Sequence, residues 1–342
     1  MMNKKKNLWN LLFLIVIFVL TIFSVFHGED LGQMAGYIKR TDLRYWFLAV
    51  ICVVFFIESE SVIIYYMMHS IGQKVKLVHC FLYSFVGFFF SCITPSATGG
   101  QPAQIYYMRK DRIPIPIATL VLMIVTITYK LVLVVIGIVV VLLRPAILMK
   151  YLQPVIGWCY LGTALNVFCV GFMMLLVFHP TLARKILLAC IDLLGKIHLM
   201  KRTSYYKDKV EKAMTQYHDV AAYFRSHTLV VLNVFLITVI QRMLLFFVTY
   251  LVYRSFGMSG MSILDIVILQ GMISVAVDML PLPGGMGISE QLFLKIFTPI
   301  FANLTLPAMV VSRGLSYYTE LLLSAILTIV AHVTIGQQKG EI

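Results

Sequence analysis

The sequence predicts an all-α integral membrane protein with about six full transmembrane helices and two re-entrant hairpins arranged as an inverted repeat. Three observations lead there. Of 342 residues, 60% are hydrophobic and only 13% charged, far more apolar surface than a water-soluble core absorbs. The apolar residues come in runs of membrane-spanning length, separated by short basic loops. Two further apolar runs are short and broken by proline and glycine, at Thr94 to Pro102 and at Pro281 to Gln291. Such a break cannot continue a helix, and the amides it frees find no partner in hydrocarbon, so it belongs in protein or against a wet cavity.

Leu8 to Phe26 has the length of a first span, and Lys4 to Lys6 before it set the N-terminus in the cytoplasm. It resembles a signal sequence, but no small-residue cleavage site follows, so it is read as a retained helix. Tyr45 to His69 returns the chain inward to Lys74 and Lys76. Leu77 to Met108 then carries positive charge at both ends, ending at Arg109-Lys110-Asp111-Arg112, which makes it a hairpin entered from the inside with its tip at Pro95 to Pro102. A span followed by a tight loop is the alternative. Ile115 to Leu143 and Val155 to Phe178 are spans joined by an external link, Arg144 to Gln153.

Residues 179–228 are the one substantial polar region and separate the first membrane half, 1–178, from the second, 229–342. Leu182, Ile186, Leu193 and Ile197 recur at helical spacing, predicting an amphipathic helix on the anionic inner leaflet, and the remainder reads as a solvated basic cytoplasmic linker. Leu229 to Tyr253 spans outward. Ile263 to Leu280 descends to the second break, Ile288 to Phe301 climbs back, and Leu306 to Ile335 makes the final crossing to a cytoplasmic C-terminus. Most basic residues fall on the inner side in this scheme.

Several function classes drop out. The net charge of +13 lies in loops between spans, where it orients the chain and meets lipid heads, so direct nucleic-acid binding is not indicated. Neither the six cysteines nor the eight histidines show metal-ligand spacing, and no cofactor or metal is expected. No nucleotide fingerprint or nucleophile–base spacing identifies catalytic residues.

Ionisable groups inside apolar spans are functional candidates because each costs several kcal/mol unless paired or wet. They are Glu58, Glu60, Lys130, Arg242, Asp278, Glu290, Lys295, Arg313 and Glu320. The other reading is structural pairing between helices. Arg313, Tyr317 and Glu320 fall on one helical stripe and face one cavity. Arg313, bidentate by nature, suits a phosphate, and Glu290 leaves the glycine turn on the next helix. Gly99, Gly100, Gln101, Pro283, Gly284, Gly285 and Gly287 complete the expected substrate site, with close packing as the alternative role of the glycines. Thr126 and Thr128 are expected to bond back to their own helix.

At Pro95-x-x-x-Gly99-Gly100-Gln101-Pro102 and Pro281-x-Pro283-Gly284-Gly285-x-Gly287-x-x-Glu290 the chain resembles the lysylphosphatidylglycerol synthase/flippase transmembrane family, the membrane part of the bacterial multiple peptide resistance factor. The likeness covers essentially the whole chain. The family carries Glu after the first Gly-Gly, where this chain has Gln101. The resemblance implies a bacterial plasma-membrane protein of lipid metabolism and lipid transport. It would flip phosphatidylglycerol or its aminoacyl derivative outward and so serve resistance to cationic antimicrobial peptides. The alternatives are a lysyl-tRNA-dependent phosphatidylglycerol lysyltransferase and a scaffold for a separately encoded synthase. Lysyl transfer belongs to a soluble domain of full-length members, for which the few residues after the last span leave no room. A homo-oligomer built through an exposed helix face is also compatible with the sequence.

Overall fold

The structure, a computed structural model, describes residues 31–196 and 203–336. The expected first span, Leu8 to Phe26, and Ile197 of the amphipathic pattern lie outside the described residues. Everything described is helix, turn or loop, without strands. The helices are α1 (Leu31–Lys39), α2 (Leu43–Ser70), α3 (Leu77–Ile93), α4 (Gly100–Lys110), α5 (Ile115–Leu143), α6 (Ala146–Leu152), α7 (Ile156–Phe178), α8 (Pro180–Lys196), α9 (Thr203–Ser226), α10 (Thr228–Ser255), α11 (Ile263–Val277), α12 (Ile288–Phe301), α13 (Thr305–Arg313) and α14 (Thr319–Gly336). Among the described residues, five helical stretches are long and apolar enough to cross a membrane: Leu43–Ser70, Ile115–Leu143, Ala146–Phe178, Thr228–Ser255 and Pro283–Ile335. The chain is an all-α membrane protein.

Local chemistry explains the ends. Asp42 caps α2 by accepting from Arg44 N at 2.9 Å, while its own N–H reaches Ser255 O at the end of α10, also at 2.9 Å. Ser262 caps α11 in the same way through Leu264 N. A π turn, Gly314–Tyr318, joins α13 to α14, so the last crossing is one helical path with a local widening.

α2 packs along α10, and α14 packs along α3. α7 lies against α5 and α11, where Gly162 lets two backbones touch: a Cβ there would meet Val275 O at 2.3 Å and Ala276 Cα at 2.6 Å. Asn166, one turn on, donates to the same Val275 carbonyl at 3.3 Å. Gly162→Ala is therefore expected to cost about 1–3 kcal/mol through overpacking. The loss reads out as a lower melting temperature in detergent. Gly157→Ala, with nothing within 4 Å, is the control, and equal effects at both positions would refute the contact.

The polar region departs from expectation. α8 is the expected amphipathic helix, but the stretch read as a solvated linker is the 24-residue helix α9, packed on α5. Met214, Tyr217, Ala221 and Phe224 recur every three or four residues and are buried there, and that apolar stripe is what brings α9 out of solvent. Arg184 and Glu211 clip α9 to α8 with hydrogen bonds of 2.8 and 2.9 Å that hold the Glu211 carboxyl below its ordinary range; Lys207 and Asp192 add a second clip at 2.6 Å. The link expected between spans at Arg144 to Gln153 contains α6.

Buried apolar residues form two clusters. One gathers Ala49 to Ile57 of α2 with Phe246 to Tyr253 of α10 and the aromatic stack Phe293, Phe297 and Phe301 of α12. The other gathers Ile63 to Met68 of α2 with Tyr83, Met108, Ile124 and the buried face of α9. Between them runs a seam, and several charged residues of the spans, Glu60 and Arg242 among them, fall on it.

Candidate functional site

α2, α5, α7, α10 and the last crossing all pass from one apolar cluster to the other, and on α2 and α10 the change falls at ionisable residues. On α2 the first cluster ends at Ile57 and the second begins at Ile63, with Glu58 and Glu60 between. On α10 the change lies between Val234 and Phe246 and contains Arg242; on the last crossing the first cluster runs through Leu315, Leu323 and Leu327 to a change before Ala331, with Glu320 on that stretch. The result is a polar layer across the middle of the bundle.

Both Pro/Gly breaks lie beside this layer, next to Cys92 with its Glu320 contact and to Asp278 with its Lys130 pair, and their first residues are built alike. Pro95 is followed by Ser96 and Ala97 at φ 49° and 54°; Pro283 is followed by Gly284 and Gly285 at φ 56° and 66°. The hydrogen bonds repeat: Ala97 N to Thr94 O (3.2 Å) and Thr98 N to Pro95 O (3.1 Å) in one, Gly285 N to Leu282 O (3.2 Å) and Met286 N to Pro283 O (3.1 Å) in the other. The two turns thus correspond proline to proline, and Gly99 and Gly287 each precede the following helix, at φ −83° and +85°. The two breaks touch. Ser96 Oγ donates to Leu280 O at 3.0 Å, and Tyr317 OH, from the π turn, donates to Cys92 O just before the first break, also at 3.0 Å.

Several amides of the second break are bonded within it. Gly285 and Met286 bond within the turn, and Gly287 N donates to Glu290 Oε2 at 2.7 Å, so the carboxylate caps α12. Ser289 Oγ also donates to Glu290 Oε2, and Arg313 Nε donates to Oε1 at 2.7 Å. Arg313 spends a second donor on Gly284 O at 3.0 Å and stacks over Tyr317 at 4.6 Å. Glu290 and Arg313 therefore form a buried structural pair that shapes the break. The glycines are required by their conformation: Gly287 has φ +85°, and a Cβ on Gly284 would sit 2.2 Å from the Tyr317 ring. Gly99 and Gly100 have the packing role, with Thr94 and Ser91 side chains at 2.6 and 2.1 Å from a built Cβ.

Lys130 and Asp278 pair at 2.5 Å, and Tyr129 OH donates to the same carboxylate at 2.5 Å, tying α5 to the residue after α11. Gln104 of α4 donates to Glu60 at 2.7 Å, which connects the helix after the first break to α2. Gln101 reaches Thr126, which with Thr128 also bonds back to its own helix. Glu320 has the Cys92 thiol at 3.5 Å. Lys295 lies on the exposed face of α12, away from the group.

Arg242 stands apart in its bonding. It is 9% exposed, its guanidinium lies 3.2 Å from the centre of the Tyr129 ring, and its Nε has no hydrogen-bond partner. Asp278, Glu320 and Glu60 are within its electrostatic reach, yet among the described residues no hydrogen bond or ion pair joins it to any of them. Sequence reasoning named Arg242 only as one charge in a span; its central position depends on which faces of α2, α5, α10 and α14 converge. No group of residues among those described has the composition of a metal site.

The family described as Lysylphosphatidylglycerol synthase TM region matches residues 8–324. The chain belongs to this family. No curated protein matches it. Family and helices agree on a multi-pass membrane protein, and within that family the polar layer and the two touching breaks are what this chain offers a ligand.

Proposed function

We propose that the chain is a flippase that carries a polar phospholipid, lysylphosphatidylglycerol or a related lipid, from the inner to the outer leaflet of a bacterial plasma membrane, with both termini cytoplasmic. The observation that carries the reading is the mid-bundle polar layer with two matched helix breaks beside it. Charged groups at that depth persist where they meet a substrate path, and paired broken helices are the usual way a transporter lines one. In this reading α3 with α4 and α11 with α12 are re-entrant hairpins, and the basic α8–α9 unit gathers anionic lipid from the inner leaflet.

The headgroup is assigned by what remains uncommitted. Glu290 and Arg313 are occupied with each other and with the second break. Arg242 has donors to give and takes the lipid phosphate. Glu320, held by a thiol alone, and Glu60, held by an amide, take an ammonium group. Chemistry on the lipid has no support among these residues; positioning a separately made lipid does.

Reconstitution tests it. Arg242→Ala in proteoliposomes is expected to lower outward exposure of lysylphosphatidylglycerol, followed with an impermeant amine-reactive label, by at least about tenfold. In cells, total aminoacyl lipid should stay constant while its exposed fraction rises with the protein. A rise in the total, or unchanged exposure with Arg242→Ala, would end the flippase reading.

A further inference from the structure

The bonding pattern of the polar layer carries one step more, about what accompanies the lipid; it rests on the flippase reading. Lys130 and Asp278 form one neutral pair, and Arg313 and Glu290 another. What is left at the seam is Arg242 against Glu60 and Glu320. That trio has a net charge of −1 when fully ionised, with apolar clusters on either side. Asp278, paired with Lys130, also lies within electrostatic reach of Arg242. α2 brings Glu60, and Glu58, about 200° around the helix, buries one oxygen without a partner. α3 brings Cys92 and α4 brings Gln104, while α5 brings the Tyr129 ring. Arg313 and Tyr317 stand beside Glu320.

An unbalanced charge in such a seam costs several kcal/mol. The smallest ion that removes it is a proton, and carboxylates that interact strongly with one another titrate as a unit, not singly. A lipid headgroup with two ammonium groups and one phosphate brings +1 and balances the trio by itself. A headgroup with the phosphate alone brings −1 and makes the imbalance worse.

We propose that Glu60 and Glu320 share one exchangeable proton, which leaves to water when a cationic headgroup binds between them and Arg242. Translocation of the cationic lipid is then coupled to proton movement in the opposite sense. Discrimination against unmodified phosphatidylglycerol is built into the same charge balance, since that lipid binds only by drawing in a further proton.

The test is calorimetric titration of the full chain in detergent, near neutral pH, in two buffers of different ionisation enthalpy. Short-chain lysylphosphatidylglycerol and short-chain phosphatidylglycerol are the probes. The expected result is release of about one proton per lysylphosphatidylglycerol bound and uptake with phosphatidylglycerol. Glu320→Gln should weaken binding of the first lipid and abolish the release, and Glu320→Asp should restore it. Binding of lysylphosphatidylglycerol with no proton exchanged, or the same release from wild type and from Glu60→Gln and Glu320→Gln alike, overturns the exchange and leaves the flippase reading standing. If neither lipid binds, both fall together.

Discussion

Glu290→Ala is expected to be the most destabilising single substitution in the second half of the chain, at about 3 kcal/mol, because it strands Arg313 as a largely but not fully buried cation. The loss is compound. The carboxylate accepts from Arg313, from Gly287 N at the start of α12 and from Ser289, so one truncation removes an ion pair and a helix cap together. Glu290→Gln keeps an oxygen for the cap and should lose less. Removing both partners in Glu290→Ala/Arg313→Ala should cost less than the sum of the single changes, since neither charge is then left alone. Thermal unfolding of the four proteins in detergent closes the cycle. Additive losses would mean that the pair does not exist in the folded protein.

Gly284→Ala is expected to act on stability and transport at once. The new methyl group meets the Tyr317 ring at 2.2 Å while the backbone is held at φ +56°. Left-handed backbone costs an alanine about 1–2 kcal/mol, and the clash about 1–3 kcal/mol more. Tyr317 must move, and with it go the stacking of Arg313 and the hydrogen bond to Cys92 O. Lipid exposure in proteoliposomes should therefore fall at least about tenfold, whereas Gly157→Ala leaves it unchanged. Wild-type transport by Gly284→Ala would show that contact between the breaks is not needed.

Much of this fold is legible in residue order. The spans at α2, α5, α7 and α10 begin and end within a few residues of where the apolar runs do, and Ile288 to Phe301 coincides with α12. Hydropathy reads such elements well because a long apolar run has few alternatives. The errors share a different cause. α9 was hidden by its charges, although Met214, Tyr217, Ala221 and Phe224 repeat at helical spacing and would have disclosed a buried face. The matching of the two breaks was obscured by their glycines: Gly-Gly invites alignment with Gly-Gly, but the left-handed positions of the first break hold Ser96 and Ala97.

The candidate site was half visible. Its charged members could be named, but their partners could not, because Glu60, Arg242 and Glu320 come from helices far apart in sequence. Glu290 could have been recognised as a cap, since it lies three residues after the glycine that precedes α12. That spacing favours a cap, and Glu290 Oε2 accepts from Gly287 N in the structure.

The contact between the two breaks also sets how readily they come apart. Two neutral hydrogen bonds span it, Ser96 to Leu280 and Tyr317 to Cys92. At about 0.5–1.5 kcal/mol net for each, they make a latch of only a few kcal/mol. A latch of that strength leaves the separated state as a minor but regularly visited population. Breaking the latch then takes little free energy: a ligand that binds one state a little better is enough to tilt the balance.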